Sequence, residues 1–346
     1  MTGTRPRFLV IRLSSIGDIV HVLPAVSALG ETFPEAEIDW VVERRFAELL
    51  EGNRFLHRLV VLDTLGWRRR LTRAQTLRDV IQSIRALRQS EYDVAADFQG
   101  LWKSALIARL AHSQRRVGFA AYWLREPGAA IFYTERVAPR ERRHVIEWNL
   151  ALVEHLGAQP GRWHFPLPSR PEDESYVENK LARLGTSEFI IINPGGGWPA
   201  KCWAPENYAA LIRQLEAAIP LKVLLTGSPA EEPAIEGILR QAAARQATYF
   251  PSTLLQYVSL VRRARLFVGG DTGPLHLAAA VGTPIVAIYG PTDPGRNGPF
   301  SSSDIVLANR GPIHYTRRAP KASFIAGISV ESVLAAIHER LRKAYG

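Results

Sequence analysis

The chain has 346 residues and a mass of 38.5 kDa, with 47% apolar and 22% charged residues. That balance excludes a disordered, collagenous or coiled-coil character for the chain as a whole, and the length suits two domains of roughly 100–200 residues each. Lys and Arg number 43 against 33 Asp and Glu, a formal charge of +10.

Six of the basic residues are lysine and the rest are arginine. The planar guanidinium matches carboxylate and phosphate in bidentate fashion, so an acidic partner is one reading of this charge and biased codon usage is the other. Residues 54–88 carry nine arginines against Asp63 and Asp79, the one basic cluster that stands out. No apolar run approaches the roughly 20 residues of a membrane span. The opening MTGTRPRFLVIRLSS lacks the apolar core and cleavage site of a secretory signal. Cys202 is the only cysteine, which leaves no intrachain disulfide and no multi-cysteine metal cage. A cytoplasmic soluble protein is expected.

In chain order, FLVIRL (8–13) reads as a strand, SSIGD as a turn, and VHVLPAVSALGETF as a helix. EIDWVV is a strand, ERRFAELLEGN a helix, HRLVVLD a strand and residues 72–89 a long amphipathic helix. YDVAADF and LWKSALIARLA give the next strand and helix, and another helical stretch lies near 141–157. GAQPGRWHFPLPSRPEDE reads as a linker from its Pro, Gly and charge content, placing a boundary near 160–170. The alternation restarts with FIIINPG, PENYAALIRQLEAAI, LKVLLTG and PAIEGILRQAAA. LLQYVSLVRRA, RLFVGGD, GPLHLAAAVG and TPIVAIYGP follow, and a last helix covers 329–344. Strands alternating with helices indicate βαβ units and parallel sheets. The fold class is α/β, with two doubly wound domains facing across a cleft and ligands at the carboxyl ends of the strands.

Three turns carry chemistry. Ser14-Ser15-Ile16-Gly17-Asp18 follows the first strand without the G-x-G-x-x-G fingerprint, which argues against a dinucleotide oxidoreductase. Asp18 is either a helix cap or a general base aimed at an acceptor hydroxyl. In the second reading Ser14, Ser15 and the Gly17 amide offer donors to an anionic substrate. Asp271-Thr272-Gly273-Pro274-Leu275-His276 is good N-cap chemistry, which alone explains these residue types; the other reading is a diphosphate site at the same helix start, with His276 one turn from Thr272. In Asn193-Pro194-Gly195-Gly196-Gly197-Trp198-Pro199-Ala200-Lys201, glycines at a strand end allow close approach to a ligand. Lys201 would neutralise a departing phosphate, or it is a solvated loop lysine. Glu231 and Glu232 are placed to accept from a ribose or to occupy a first helical turn. Trp67, Arg68, Arg69, Arg70 and Arg73 centre the basic cluster, which is a solvated face or an overhang of the first site. No nucleic-acid-binding pattern is present, and aromatics are not interleaved with the basic residues.

Taken together, four strings resemble glycosyltransferase family 9, the ADP-heptose:lipopolysaccharide heptosyltransferases. They are RLSSIGDIVHVLPAVSAL, DFQGLWKSALIARL, INPGGGWPAKCWAPENYAAL and GGDTGPLHLAAAVGTPIVAIYGPTDP, in that order along nearly the whole chain. The first and the QGLWKSA run lean towards heptosyltransferase I. Relatives with a cysteine-rich stretch after YGPTDP differ from this chain, whose NRGPIHYTRRAPKASFIAGIS has no cysteine. The glycine-rich donor loop also stands where some relatives place hydroxyl side chains.

The resemblance implies a GT-B fold with a Rossmann-like acceptor domain (1–165) and a Rossmann-like nucleotide-sugar domain (166–346), whose last helix is free to pack back on the first. It implies inverting transfer of L-glycero-D-manno-heptose from ADP-heptose to a Kdo residue of the lipopolysaccharide inner core. Asp18 matches the general base, with Ser14, Ser15 and Gly17 around the acceptor, and Lys201 matches the lysine at the diphosphate. Asp271 matches the sugar-binding aspartate, with Thr272, Gly273 and His276 at the phosphates, Gly196 and Gly197 in the donor loop, and one of Glu231 and Glu232 at the ribose. Arg68, Arg69, Arg70 and Arg125 match basic positions near an anionic, lipid-linked acceptor. No metal or other cofactor is expected, because Lys201 and the helix at Gly273 supply the positive charge. The acceptor implies peripheral work at the inner leaflet of the membrane. Another GT-B enzyme with a different donor or acceptor, and a non-catalytic sugar-nucleotide or acidic-glycan binder, are the alternatives.

Overall fold

The computed structural model describes residues 5–69, 74–140, 144–309, 325 and 327–345. The chain divides into two compact units, Met1–Pro168 and Ser169–Gly346.

In the first unit the strands are β1 (Arg7–Ile11), β2 (Glu37–Glu43), β3 (Arg58–Leu62), β4 (Tyr92–Asp97), β5 (Ser113–Phe119) and β6 (Glu135–Val137). Its helices are α1 (Ile16–Val20), α2 (Leu23–Thr32), α3 (Thr64–Arg69), α4 (Ala74–Leu87), α5 (Trp102–Leu110) and α6 (Val145–Glu154). Among the described residues the strands form one parallel sheet of order β3-β2-β1-β4-β5-β6. Leu9, Val10 and Ile11 are fully buried because a parallel strand is covered on both faces, which is why it reads as an unbroken apolar run.

The second unit repeats the plan. Its helices are α7 (Pro171–Arg183), α8 (Pro205–Ala218), α9 (Glu232–Ala242), α10 (Leu254–Arg263), α11 (Gly273–Ala280), α12 (Pro294–Asn297) and α13 (Val330–Tyr345). Its strands are β7 (Phe189–Asn193), β8 (Lys222–Leu225), β9 (Thr248–Tyr249), β10 (Leu266–Gly270), β11 (Ile285–Tyr289) and β12 (Ile305–Ala308). The order β12-β11-β10-β7-β8-β9 is that of the first sheet, numbered from β7 and read backwards. The core joins Ile190, Ile192, Val268 and Ile288 of the sheet to Tyr208, Ile212, Val333 and Ile337 of the helices. Helix α13 packs within this unit on α8, β11 and β12.

In both sheets the order reverses between the first and fourth strands, β1/β4 and β7/β10. That switch point, at the carboxyl ends of the strands, is where α/β proteins bind ligands.

Several elements differ from the sequence reading. The single helix expected after SSIGD is two, α1 and α2, with Pro24 in the first turn of the second. The helix expected in ERRFAELLEGN is a 3-10 segment, Arg44–Leu49. Strands β5, β6, β9 and β12 and helix α3 were not foreseen. The expected linker ends early, because PEDE opens α7 with Pro171 at its start and Glu172, Asp173 and Glu174 in its first turn. Those acids favour the positive end of the helix.

Candidate active site

In the first unit, Ser14–Asp18 leaves β1 at the switch point. Asp18 Oδ2 accepts from the Ser15 amide and the Ser15 hydroxyl, each at 2.9 Å, closing a capping box at the start of α1. The helix-cap role considered for Asp18 is therefore real. Its other oxygen pairs with the guanidinium of Arg12, which lies directly after β1. The Asp18 side chain keeps 38% of its surface exposed, so a capped carboxylate still faces solvent. Ser14 is half-buried, Ser15 exposed and Gly17 buried.

Part of the basic cluster converges on the end of β2. Glu43 is buried and accepts from the Thr64 hydroxyl at 2.6 Å and the Leu65 amide at 3.3 Å, which ties the start of α3 to the sheet. Lys103 lies within electrostatic reach of Glu43 and of both Arg68 and Arg45. Burial, then the charges of Arg68 and Arg45, push the Lys103 ammonium below its usual range against the pull of Glu43 and Glu126. Arg69 is exposed in the last turn of α3, and Arg125 is exposed. Arg70 and Arg73 lie outside the described residues. Arg12, Arg45 and Lys103 are basic groups that the sequence reading did not single out.

In the second unit the turns after β7 and β10 meet around one buried carboxylate. Asp271 Oδ2 pairs with Lys201 Nζ and accepts from the Thr292 hydroxyl at 2.8 Å. Its Oδ1 accepts from Asn297 Nδ2 at 2.8 Å and lies 3.2 Å from His276 Nε2. Lys201 Nζ also donates to the Asp271 carbonyl at 3.3 Å and sits 5.2 Å above the Trp198 ring. Burial pushes the Asp271 carboxyl up, but the His276 hydrogen bond and the charges of Lys201 and His276 outweigh it. The net position is far below the usual carboxylate range, so Asp271 is an anion throughout the working pH range. His276 reaches it from the first turn of α11, whose N-cap Thr272 makes no side-chain cap bond to the helix. Thr272 Oγ1 instead donates to the Gly270 carbonyl at 3.3 Å. Gly273 is the first residue of that helix.

Two of the donor-loop glycines lie against side chains of the protein itself. A methyl group added at Gly195 would lie 2.2 Å from Glu231 Oε1, and one at Gly196 would lie 2.6 Å from Cys202 Sγ. These two glycines make room for the protein's own side chains. Gly197 has nothing within 4 Å. The structure also separates the two glutamates: Glu231 Oε2 accepts from the Ser228 amide at 2.8 Å and hydroxyl at 2.7 Å, which holds it against the loop. Glu232 is exposed at the start of α9. Thr292 and Asn297 escaped the sequence reading; Thr292 stands in the YGPTDP string, whereas nothing local marks Asn297.

The sequence profile of glycosyltransferase family 9 (heptosyltransferase) matches residues 80–322. Lipopolysaccharide heptosyltransferase 1 of Escherichia coli strain K12 is 30% identical over 325 residues, covering 92% of this chain and 95% of the relative. Its namesake in Pseudomonas aeruginosa is 30% identical over 312 residues, covering 88% and 84%. Among solved structures, E. coli heptosyltransferase WaaC with ADP superposes with a TM-score of 0.78 at 28% identity, covering 96% of this chain and 99% of that one. E. coli ADP-heptose lps heptosyltransferase II shares the fold with a TM-score of 0.76 at 24% identity, covering 98% and 100%. Two Rossmann-like units of this order make the fold GT-B. The chain belongs to glycosyltransferase family 9, and it is a glycosyltransferase.

Proposed function

We propose that the enzyme transfers L-glycero-D-manno-heptose from ADP-heptose to a Kdo residue of the lipopolysaccharide inner core, with inversion at the anomeric carbon. The observation that carries this reading is the buried Asp271 anion clasped by Lys201 and His276 at the switch point of the second unit. It holds a lysine and the uncapped start of α11 where a nucleotide diphosphate binds in folds of this kind. Relatives 30% identical over most of the chain are lipopolysaccharide heptosyltransferases, and the WaaC structure carries ADP.

In this reading Asp18 accepts the proton of the acceptor hydroxyl as its oxygen attacks the anomeric carbon. The C–O bond to the diphosphate breaks, and Lys201 with the amides at the start of α11 stabilises the ADP that leaves. Thr272, Gly273 and His276 lie at the phosphates, Gly196 and Gly197 line the donor loop, and Glu231 takes the ribose hydroxyls. Ser14, Ser15, Gly17, Arg68, Arg69 and Arg125 serve the anionic acceptor, and Arg45 and Lys103, whose charges lie near Arg68 and Glu43, support the same reading. The positive charge comes from the protein, so transfer is proposed to need no metal.

Peripheral attachment to the inner leaflet completes the proposal. Among the described residues no helix is long and apolar enough to cross a membrane. Helix α5 presents Trp102, Leu106 and Arg109 as one exposed stripe at helical spacing, with Trp102 48% and Leu106 46% exposed. An aromatic and an aliphatic side chain beside a cation suit the interface of an anionic bilayer. Purified protein incubated with ADP-heptose and Kdo₂-lipid A tests the reaction. ADP release with a heptose-sized mass gain on the acceptor is expected, and absence of both overturns the assignment of donor and acceptor.

A further inference from the structure

The first unit holds a fully buried carboxylate, that of Asp97, which the proposed reaction does not use. Asp97 ends β4 in register with Ile11 on β1 and Gly118 on β5. Its Oδ1 accepts from the amides of Gln99 at 2.8 Å and Gly100 at 3.1 Å. Its Oδ2 accepts from the Tyr133 hydroxyl at 2.6 Å. Gly118 makes that last bond possible, since a methyl group there would lie 2.4 Å from Tyr133 Cε2, in the space the ring occupies. Gly100 has φ +67°, which L side chains rarely adopt, so the turn is built for one conformation.

That turn grips the segment carrying the proposed base. Gln99 Oε1 accepts from the Leu13 amide at 2.8 Å, and the Phe98 amide donates to the Ile11 carbonyl at 3.1 Å. The Phe98 carbonyl accepts from one terminal nitrogen of Arg12, and the other pairs with Asp18. The Arg12 side chain is only 13% exposed, so its direction is fixed by these partners. A chain of bonds therefore runs from Tyr133 through Asp97, the Phe98–Gly100 turn and Arg12 to Asp18.

We propose that Asp97, braced by Tyr133, is a positioning residue that aims the Asp18 carboxylate by fixing the turn to which Arg12 is bonded. The inference rests on the reading of Asp18 as the base. Asp97 acts by accepting hydrogen bonds, so its charge is dispensable. In Asp97→Asn the amide oxygen still accepts from the turn, while the amide nitrogen donates to Tyr133 Oη, which accepts equally well.

The test measures turnover of ADP-heptose with Kdo₂-lipid A in Asp97→Ala, Asp97→Asn and Tyr133→Phe, each also in an Asp18→Asn background. ADP titration and thermal melting on every variant establish the folded fraction. Asp97→Ala is expected to lower kcat on the order of 100-fold, the cost of a misaimed group, with the KM for ADP-heptose and ADP affinity unchanged. Tyr133→Phe, which keeps the ring and the packing, loses less in the same direction and covers the case of an unfolded alanine variant. Asp97→Asn restores kcat. In the Asp18→Asn background the Asp97 and Tyr133 changes add almost nothing, because residues acting through one group are non-additive. Equal losses in both backgrounds, or a loss confined to folded fraction or donor KM, overturn the positioning role alone. Unchanged turnover in Asp18→Asn by itself overturns the reading of the base and this inference with it.

Discussion

Lys201 and Asp271 form an ion pair in which both side chains are withdrawn from water, at 13% and 3% exposure. Such a pair costs more to break than to replace, because removing one partner strands a buried charge. Lys201→Met should therefore lower stability by about 3 kcal/mol. It should also lower kcat by roughly 10²–10³, the usual effect of deleting one group that stabilises developing negative charge. Denaturant titration reads the first and steady-state kinetics the second; a kcat within threefold of wild type would remove Lys201 from the leaving-group site.

The same pair sets an acid limit. The folded Asp271 carboxyl titrates far below the value of about 3.9 that it has in the unfolded chain. The stabilisation it brings is complete above that unfolded value and is lost progressively as pH falls below it towards the folded one. Between pH 6 and 3, the melting temperature of the wild type should thus fall more steeply than that of Asp271→Asn. Parallel curves from scanning calorimetry would contradict this.

For Asp18, Asp18→Asn keeps the size and the capping geometry but removes the base. Turnover should fall by roughly 10²–10⁴, the range of general-base catalysis, while isothermal titration finds ADP affinity unaltered. A matching loss in ADP affinity would show that the substitution had damaged the fold.

Two glycines of the donor loop should part company. Gly195→Ala drives its methyl group against Glu231 Oε1, so the glutamate leaves the loop and the KM for ADP-heptose rises roughly tenfold, the worth of a hydrogen bond to a charged group. Gly197→Ala meets no protein atom, so it should leave Glu231 and the melting temperature as they are. Kinetics on the first variant and thermal melting on both check this, and an unchanged KM in Gly195→Ala would remove Glu231 from the ribose.

Flotation with vesicles tests the stripe on α5. Binding to vesicles rich in anionic lipid should weaken with salt and be lost in Trp102→Glu, whereas zwitterionic vesicles should retain little protein. Equal binding by Trp102→Glu would place membrane contact elsewhere.

The α/β class was legible because β1, β4, β7 and β10 are covered on both faces and so appear as short apolar runs between helices. β5 escaped because Arg115 and Arg116 stand in its first half, where Arg115 pairs with Glu135 at 2.6 Å on the neighbouring short strand β6. α7 escaped because Pro171 and three acids look like a linker until they are seen as the favoured start of a helix. Among the candidate residues, Asp18 in the first unit and Lys201 and Asp271 in the second stand in conspicuous turns. Arg12, Thr292, Asn297 and Tyr133 could not be picked out, because their roles come from partners that only the fold brings near.

The repeated strand order has a chemical corollary. Asp97 closes the fourth strand of its sheet, and Asp271 directly follows the fourth strand of the other, so one topological address holds a buried carboxylate in each half. Burial pushes Asp97 up, and neutral donors from Tyr133 and two backbone amides do not bring it back. At Asp271, burial is outweighed by His276 and Lys201, and the group is driven the other way. The repeated architecture thus carries two buried acids that their surroundings shift in opposite directions, one upward and one downward.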